Sequence, residues 1–464
     1  MLNFETLASA SRHLRSGQIS SQELCHQVLA SALVNNPLIG AYSDLLAETA
    51  QTEALASDQR RARGQPIGSL DGIPIAIKDL IDTTPAICKA GLENLSGYRP
   101  HCDADVVRSL REAGAIIIGV AETDSGAFGT RTPQVINPIE PDHVAGGSSG
   151  GSAAVVCAGL AFAALGTDTG GSIRIPSACC SISGFKPTWG RISTQGVRPL
   201  AASCDHVGPI ARCVADLQML QAVLDPTAAD SQSFELPRAL KIGVCEDYYR
   251  DADRTIDLAM AHVIERLERA NHVVRHVAIP SPDEVIPFHL INVAKEAALY
   301  QLQTFPEAWR EYPEIARQGI EMGISYSDKA YETAQRRRAV ARGRVDDVFE
   351  AVDIVILPTM PLDAPERNRD SLTIGGSLTP ILEAMIRYTA LFNQTGHPVV
   401  SIPAHLMHDG RAISVQVIGP RNGDARLLRI VGVLERLFAV SIDYATLFQR
   451  HHVKLKSVRR KINE

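Results

Sequence analysis

Between Gly146 and Ser177 the chain reads GGSSGGSAAVVCAGLAFAALGTDTGGSIRIPS, two glycine–serine turns around a run of small apolar residues. No other stretch limits the fold as strongly. Glycine permits sharp turns at both ends, while Ala153–Leu165 offers no polar side chain to water. A flexible Gly/Ser linker is excluded, because the enclosed run has to be buried. At 13 residues it is too short to span a bilayer. It reads as a buried core helix, with Ser149 and Ser152 capping its start near Ala153.

The flanking sequence alternates strand and helix patterns. Ile73–Lys78 (IPIAIK) is a β-branched run bounded by turn signals, which predicts a buried strand. Asp105–Ala113 carries Val106, Val107 and Leu110 on one helical face, Gly114 ends it, and Ala115–Val120 (AIIIGV) predicts a second buried strand. Such alternation points to an α/β sheet with helices on its faces. Further strands are expected at Pro237–Asp247, Asp353–Thr359, Pro398–Pro403 and Ile413–Ile418, and a closing helix at Ala425–Phe438. Near the start, Ser20 and Glu23 offer a capping box for a helix with Leu24, Val28, Leu29 and Leu33 at helical spacing. Asp225–Ser233 reads as a linker, and Pro287–Ala351 as a helical excursion with interspersed aromatics.

Composition removes several function classes. A 464-residue chain with 45% hydrophobic and 21% charged residues is ordinary for a globular protein. A net charge of −6 argues against a surface built throughout for nucleic acid. The basic runs Arg336–Arg344 and Lys454, Lys456, Arg459, Arg460, Lys461 read as a solvated helix face and a solvated terminus. Nine cysteines, with no C-x-x-C spacing, predict free thiols in a reducing compartment. The start MLNFETLASASRHL lacks the pattern of a signal peptide, so a cytoplasmic location is expected.

The chemistry turns on Ser148, Ser149, Ser152 and Ser172. A phosphate cradle would need a lysine after the glycines, and none follows here. A nucleophile in a glycine turn remains, with backbone N–H groups gathered toward a developing oxyanion. The segment holds no histidine; the nearest, His143 and His206, have no G-x-S-x-G elbow around them. Lys78 is the other candidate base, at the C-terminal end of its strand, where open α/β sheets place ligands. It must then be neutral near pH 7, which means a fall of about three pH units from about 10.4, or about 4 kcal/mol. From these residues alone, Lys78 as base, Lys78 as a strand-end lysine reaching solvent and His143 as base all stay open.

Longer motifs give a resemblance. Gly146–Ser152 (GGSSGGS), Gly166–Pro176 (GTDTGGSIRIP), Gly184–Thr188 (GFKPT) and Pro74-x-x-x-Lys78-Asp79 closely resemble the amidase signature family. So do Asp205–Pro209 (DHVGP), Leu357–Thr359, Phe392-Asn393-x-Thr395-Gly396-x-Pro398 and Gln416–Pro420 (QVIGP), so the likeness covers nearly the whole chain. It implies an α/β fold with a large mixed, mostly parallel-type β-sheet sandwiched between layers of α-helices, as one domain over residues 1–464.

The same resemblance implies an amidase that hydrolyses a carboxamide through a Ser-Ser-Lys triad. Ser172 becomes acylated, Ser148 relays the proton after a cis peptide from Gly147, and Lys78 is the base. Thr169, Gly170, Gly171 and Ser172 supply the oxyanion hole, and Thr167 orients Lys78 and Ser148. Asp168, Arg174 and Lys186 read as structural. Residues 287–351, with Ile374–Phe392, are expected to shape the substrate pocket. No metal or organic cofactor is implied; the partner is a small-molecule amide, with no membrane, and a homodimer is the base-rate expectation. The alternative within the resemblance is the glutaminase (A-type) subunit of a glutamyl-tRNA(Gln) amidotransferase, acting with partner subunits, where the basic stretches would meet nucleic acid.

Overall fold

The β-branched and small apolar runs become strands buried on both faces, which a sheet covered by helices requires. The computed structural model describes residues 2–225 and 236–463. In chain order the strands are β1 (Tyr42–Leu45), β2 (Pro74–Lys78), β3 (Ile116–Ala121), β4 (Ala163–Asp168), β5 (Ser183–Lys186), β6 (His206–Ala211), β7 (Lys241–Val244), β8 (Val273–His276), β9 (Ile354–Pro358), β10 (Ser371–Ile374), β11 (Ser377–Pro380), β12 (Val399–Leu406) and β13 (Ala412–Ile418). An 11-stranded sheet runs β1-β3-β2-β4-β6-β5-β12-β13-β9-β7-β8, and β10 pairs with β11 as a separate hairpin. Every residue of β2, β3, β4, β6, β9 and β13 is buried.

The mixed α/β class is the expected one. Parallel pairing falls in two blocks, β3-β2-β4 and β9-β7-β8. Between them the ladder from β4 through β6, β5, β12 and β13 to β9 is antiparallel, as is the β1-β3 edge. The expected strands at Ile73, Ala115, Pro237, Asp353, Pro398 and Ile413 correspond to β2, β3, β7, β9, β12 and β13, with shifted or shorter ends. The helices Asp105–Glu112 and Asp424–Phe438 form where expected. The helix Ser21–Ile39 carries the Ser20–Glu23 capping box, although Leu33 is exposed rather than on the buried face. The expected linker lies, after Asp225, outside the described residues.

Two expectations need correction. Ala153–Leu165 is not one helix. A helix spans Gly150–Cys157, Gly159 turns the chain at φ +66°, and β4 begins at Ala163. A run of small apolar residues has no periodicity to separate a buried helix from a buried strand. Ser149 does stand at the N-cap of that helix, but its side chain makes no capping hydrogen bond, and Ser152 lies inside the helix. Ser149 Oγ donates to Thr167 O (3.1 Å) and Ser152 Oγ to Leu165 O (2.9 Å), tying the helix to β4.

The basic tail is solvated only in part: Lys456, Arg460 and Lys461 are exposed, while Lys454 and Arg459 are half-buried. It lies in a helix, Tyr444–Asn463, that buries Leu447, Phe448, Leu455 and Val458. Lys454 pairs with Glu140 and Asp142, each at 2.9 Å. In the run Arg336–Arg344, Arg338 is buried and donates to Gln394 O (2.7 Å) and Ser203 Oγ (2.6 Å). The helical excursion comprises Pro282–Thr304, Glu314–Ser325 and Asp328–Val348. All nine cysteines are free thiols. Among the described residues no helix is long and apolar enough to cross a membrane.

Candidate active site

Because β2 and β4 are parallel neighbours, their C-terminal ends lie side by side. Lys78 closes β2, and Thr167 and Asp168 close β4. Lys78 is wholly buried, and its Nζ lies 2.6 Å from Ser148 Oγ and 2.8 Å from Thr167 Oγ1. The strand-end reading of Lys78 as a side chain reaching solvent is thereby excluded.

Ser148 enters from the glycine turn above. The Gly147–Ser148 peptide is cis. Gly147 packs so closely on the backbone of Thr130 and Arg131 that a Cβ there would lie 2.6 Å from Arg131 N. Thr123 Oγ1 (3.0 Å) and Thr132 Oγ1 (3.3 Å) donate to the Ser148 carbonyl and fix its backbone.

Burial controls the charge of the amine. It pulls the Lys78 pKa from 10.5 down to about 7, against the opposing pull of Asp124, Asp168, Asp205 and Asp79. None of those carboxylates forms an ion pair with Nζ within 4.0 Å among the described residues. Asp124 is itself pushed up to about 7 by burial, with Lys78 drawing it back. Asp168 moves the other way. Burial raises it, but Arg174, Asn393 and Lys186 together outweigh burial and hold the carboxylate well below its usual range.

The turn after β4 carries Ser172. Arg174, fully buried, grips Asp168 through Nε and Nη2, both at 3.0 Å, and reaches Thr389 O (3.0 Å), Gln416 Oε1 (3.0 Å) and Asn393 Oδ1 (2.6 Å). Asp168 in turn accepts from the N–H of Ile173 (3.1 Å). The expected structural pairing of Asp168 with Arg174 is thus present, and it clamps the turn from both ends. Lys186 is buried and donates to Pro187 O (2.9 Å).

Within the clamp the N–H groups of Gly170, Gly171 and Ser172 donate to no acceptor among the described residues. Thr169 spends its hydroxyl on Asp205 Oδ1 (2.6 Å). Gly171 sits at φ +141°, where a Cβ would meet Thr389 Oγ1 and come within 2.5 Å of Ile175 Cδ1. Only glycine fits there.

Ser172 opens on a cavity of about 340 Å³ with Thr169 and Gly170 in its wall. The Ser149 N–H donates to Ser172 O (3.3 Å), so the two serine turns touch. Among the described residues no hydrogen bond joins Ser148 Oγ to Ser172 Oγ in this arrangement. The cavity wall includes His289, Val293, Ile315 and Met322 from the helical excursion and Ile381 and Ile386 from the later segment.

Neither candidate histidine joins the group. His143 Nδ1 faces Glu140 Oε1 at 3.5 Å, and its ring lies outside the cavity lining. His206 is buried with Nδ1 on Cys204 O (2.7 Å) and Asp168 O (3.1 Å). Sequence reasoning missed Asp124, Thr123, Thr132 and His289. They carry no local motif, and only the packing of separate elements gathers them.

The fold and this site define an amide-bond hydrolase: the chain belongs to the amidase family, whose family model matches residues 23–428. It is 33% identical to the A-type subunit of glutamyl-tRNA(Gln) amidotransferase from Chloroflexus aggregans, an alignment covering 94% of this chain and 97% of that one. Among solved structures, one titled as an amidase is 32% identical, covers 93% of this chain and 99% of its own, and superposes with a TM-score of 0.86. A 6-aminohexanoate cyclic dimer hydrolase bound to its substrate is 26% identical with a TM-score of 0.81, covering 94% of this chain and 98% of its own.

Proposed function

We propose that the protein hydrolyses a small carboxamide to a carboxylate and ammonia or an amine through an acyl-enzyme on Ser172. One observation carries the reading: a buried lysine brought down to about pH 7 touches the hydroxyl of Ser148, on the turn packed against Ser172. Neutral Lys78 takes the Ser148 proton as Ser148 takes that of Ser172. This relay requires the Ser172 hydroxyl to come within hydrogen-bond reach of Ser148. Ser172 Oγ then attacks the amide carbon, and the carbonyl oxygen becomes an oxyanion facing the N–H groups of residues 169–172. The proton returns along the same path to the departing nitrogen, whose bond to carbon breaks. Water repeats the sequence to release the acid and free Ser172. Thr167 holds the amine in line, and Gly147 lets the Ser148 turn pack closely.

We read residues 1–464 as one amidase body, with 287–351 forming a wall of the acyl pocket. That pocket favours an uncharged, largely apolar acyl group. Phe128, Leu290, Val293 and Met322 line it, and no lysine or arginine does among the described residues. A glutaminase working with partner chains is the second reading, favoured by the likeness to the A-type amidotransferase chain.

Purified protein tested against a carboxamide panel that includes glutamine separates the two. Turnover of apolar amides without partners supports the first; glutaminase activity that appears only with added partner chains supports the second. A fluorophosphonate probe should label Ser172. An adduct formed equally well on Ser172→Ala would overturn the assignment of the nucleophile.

A further inference from the structure

Most of the cavity wall is apolar; besides Thr130, Thr169, Ser172, Gln318 and Asp370 it carries one imidazole ring. His289, on the helix Pro282–Thr304, is 3% exposed and lines the cavity beside Gly170. A Cβ built on Gly170 would lie 3.0 Å from His289 Nε2, so that nitrogen faces the turn carrying Ser172.

The other nitrogen is committed. Gln394 Nε2 lies 3.0 Å from His289 Nδ1 and 3.2 Å from Cys204 Sγ. The orientation of that amide is set at its far end, because Gln394 Oε1 accepts from Asn292 Nδ2 at 2.9 Å. Asn292 Oδ1 in turn accepts from Gln335 Nε2 at 3.3 Å. An amide NH₂ can only donate, so Nδ1 is the acceptor and the ring proton sits on Nε2. Burial keeps the ring uncharged, bringing its pKa down to about 4, with Asp168 opposing and Arg174 and Arg338 reinforcing the fall. No protein acceptor takes the Nε2–H among the described residues.

A donor held in an apolar pocket rewards a ligand that supplies an acceptor and penalises one that leaves it unpaired. We propose that His289 is a specificity-determining residue, whose Nε2–H selects amides bearing an uncharged hydrogen-bond acceptor, such as a ring nitrogen or ether oxygen, on an otherwise apolar acyl group. A carboxylate is disfavoured there, since neither the neutral ring nor any lining lysine or arginine offsets its charge. The inference rests on the reading of Ser172 as the nucleophile of this cavity.

Benzamide, picolinamide, nicotinamide and isonicotinamide form a test series in which one ring CH is replaced by N. Protection of Ser172 from a fluorophosphonate gives an affinity for each without requiring turnover. In the wild type the best pyridine isomer should bind about 10-fold more tightly than benzamide. In His289→Phe the ratio should fall to about one, and His289→Gln, which keeps an N–H donor, should restore part of it. The proposal is overturned if no isomer exceeds benzamide in the wild type, or if His289→Phe keeps the ratio. Should Ser172 resist the probe, the reading of the nucleophile fails, while calorimetric titration of the same series still decides the role of His289. NMR of ring-labelled histidine gives an activity-independent check: Nε2 should carry the proton, and a proton on Nδ1 refutes the assignment.

Discussion

Lys78 Nζ and Thr167 Oγ1 lie 2.8 Å apart, a contact between the ends of two parallel strands that points the amine at Ser148. A neutral amine donates one hydrogen to Thr167 and keeps its lone pair for the serine. The charge on this amine is therefore the first quantity to test.

Activity should rise with pH. Lys78, brought by burial from 10.5 down to about 7, is protonated below that value and cannot accept a proton. The rate of Ser172 acylation should climb through about pH 7 and level off above it. Asp124 is pushed up to about 7 as well, so the limb belongs to both groups together. Stability shifts in the same direction: the unfolded chain binds the extra proton between about 7 and 10.5, so burying Lys78 costs most below pH 7 and progressively less as pH rises through that window. A profile flat from about pH 5 to about pH 9 would contradict the assignment.

Lys78→Ala should lose roughly 10²- to 10⁴-fold in kcat/KM at neutral pH, the range for a general base, while circular dichroism stays native. Near-native turnover would place the base elsewhere.

Asp168 and Arg174 should prove interdependent. Arg174→Met leaves the Asp168 carboxylate buried without its partner, and chemical unfolding should register a loss of about 3–5 kcal/mol. Adding Asp168→Asn should recover part of that loss, because the uncompensated charge is gone. Additive losses in the double variant would show that the two side chains do not act as a pair.

Gly171→Ala tests the turn. The new methyl would collide with Thr389 Oγ1 and Ile175 Cδ1 in a backbone conformation that favours glycine. Displacing one donor from the oxyanion site should cost about 10²- to 10³-fold in kcat. Stability should fall by more than about 1 kcal/mol. An active, stable variant would mean that the turn has another route to its conformation.

What the sequence discloses depends on how local the determinant is. Lys78, Ser148 and Ser172 sit in contiguous glycine-rich or strand-end motifs, so they stand out as candidates, and the family resemblance gives them their expected roles. β4 could not, because Ala, Leu and Gly in succession fit a helix and a doubly buried strand equally well. The C-terminal helix was hidden for the opposite reason: its lysines and arginines mask the buried Leu447, Phe448 and Leu455. His289 was illegible because its meaning comes from Gln394, 105 residues further on, which decides the tautomer. Asp124 has nothing around it in the chain to announce that its charge interacts electrostatically with the amine of Lys78.

The reach of Arg174 has a consequence during synthesis. Its partners Thr389, Asn393 and Gln416 leave the ribosome long after Ser172 does, and the loop bearing Ser172 gains its last restraints only from them. A nascent or prematurely terminated chain thus carries Ser172 without the contacts that clamp its turn, and on the proposed mechanism such a chain should be inactive.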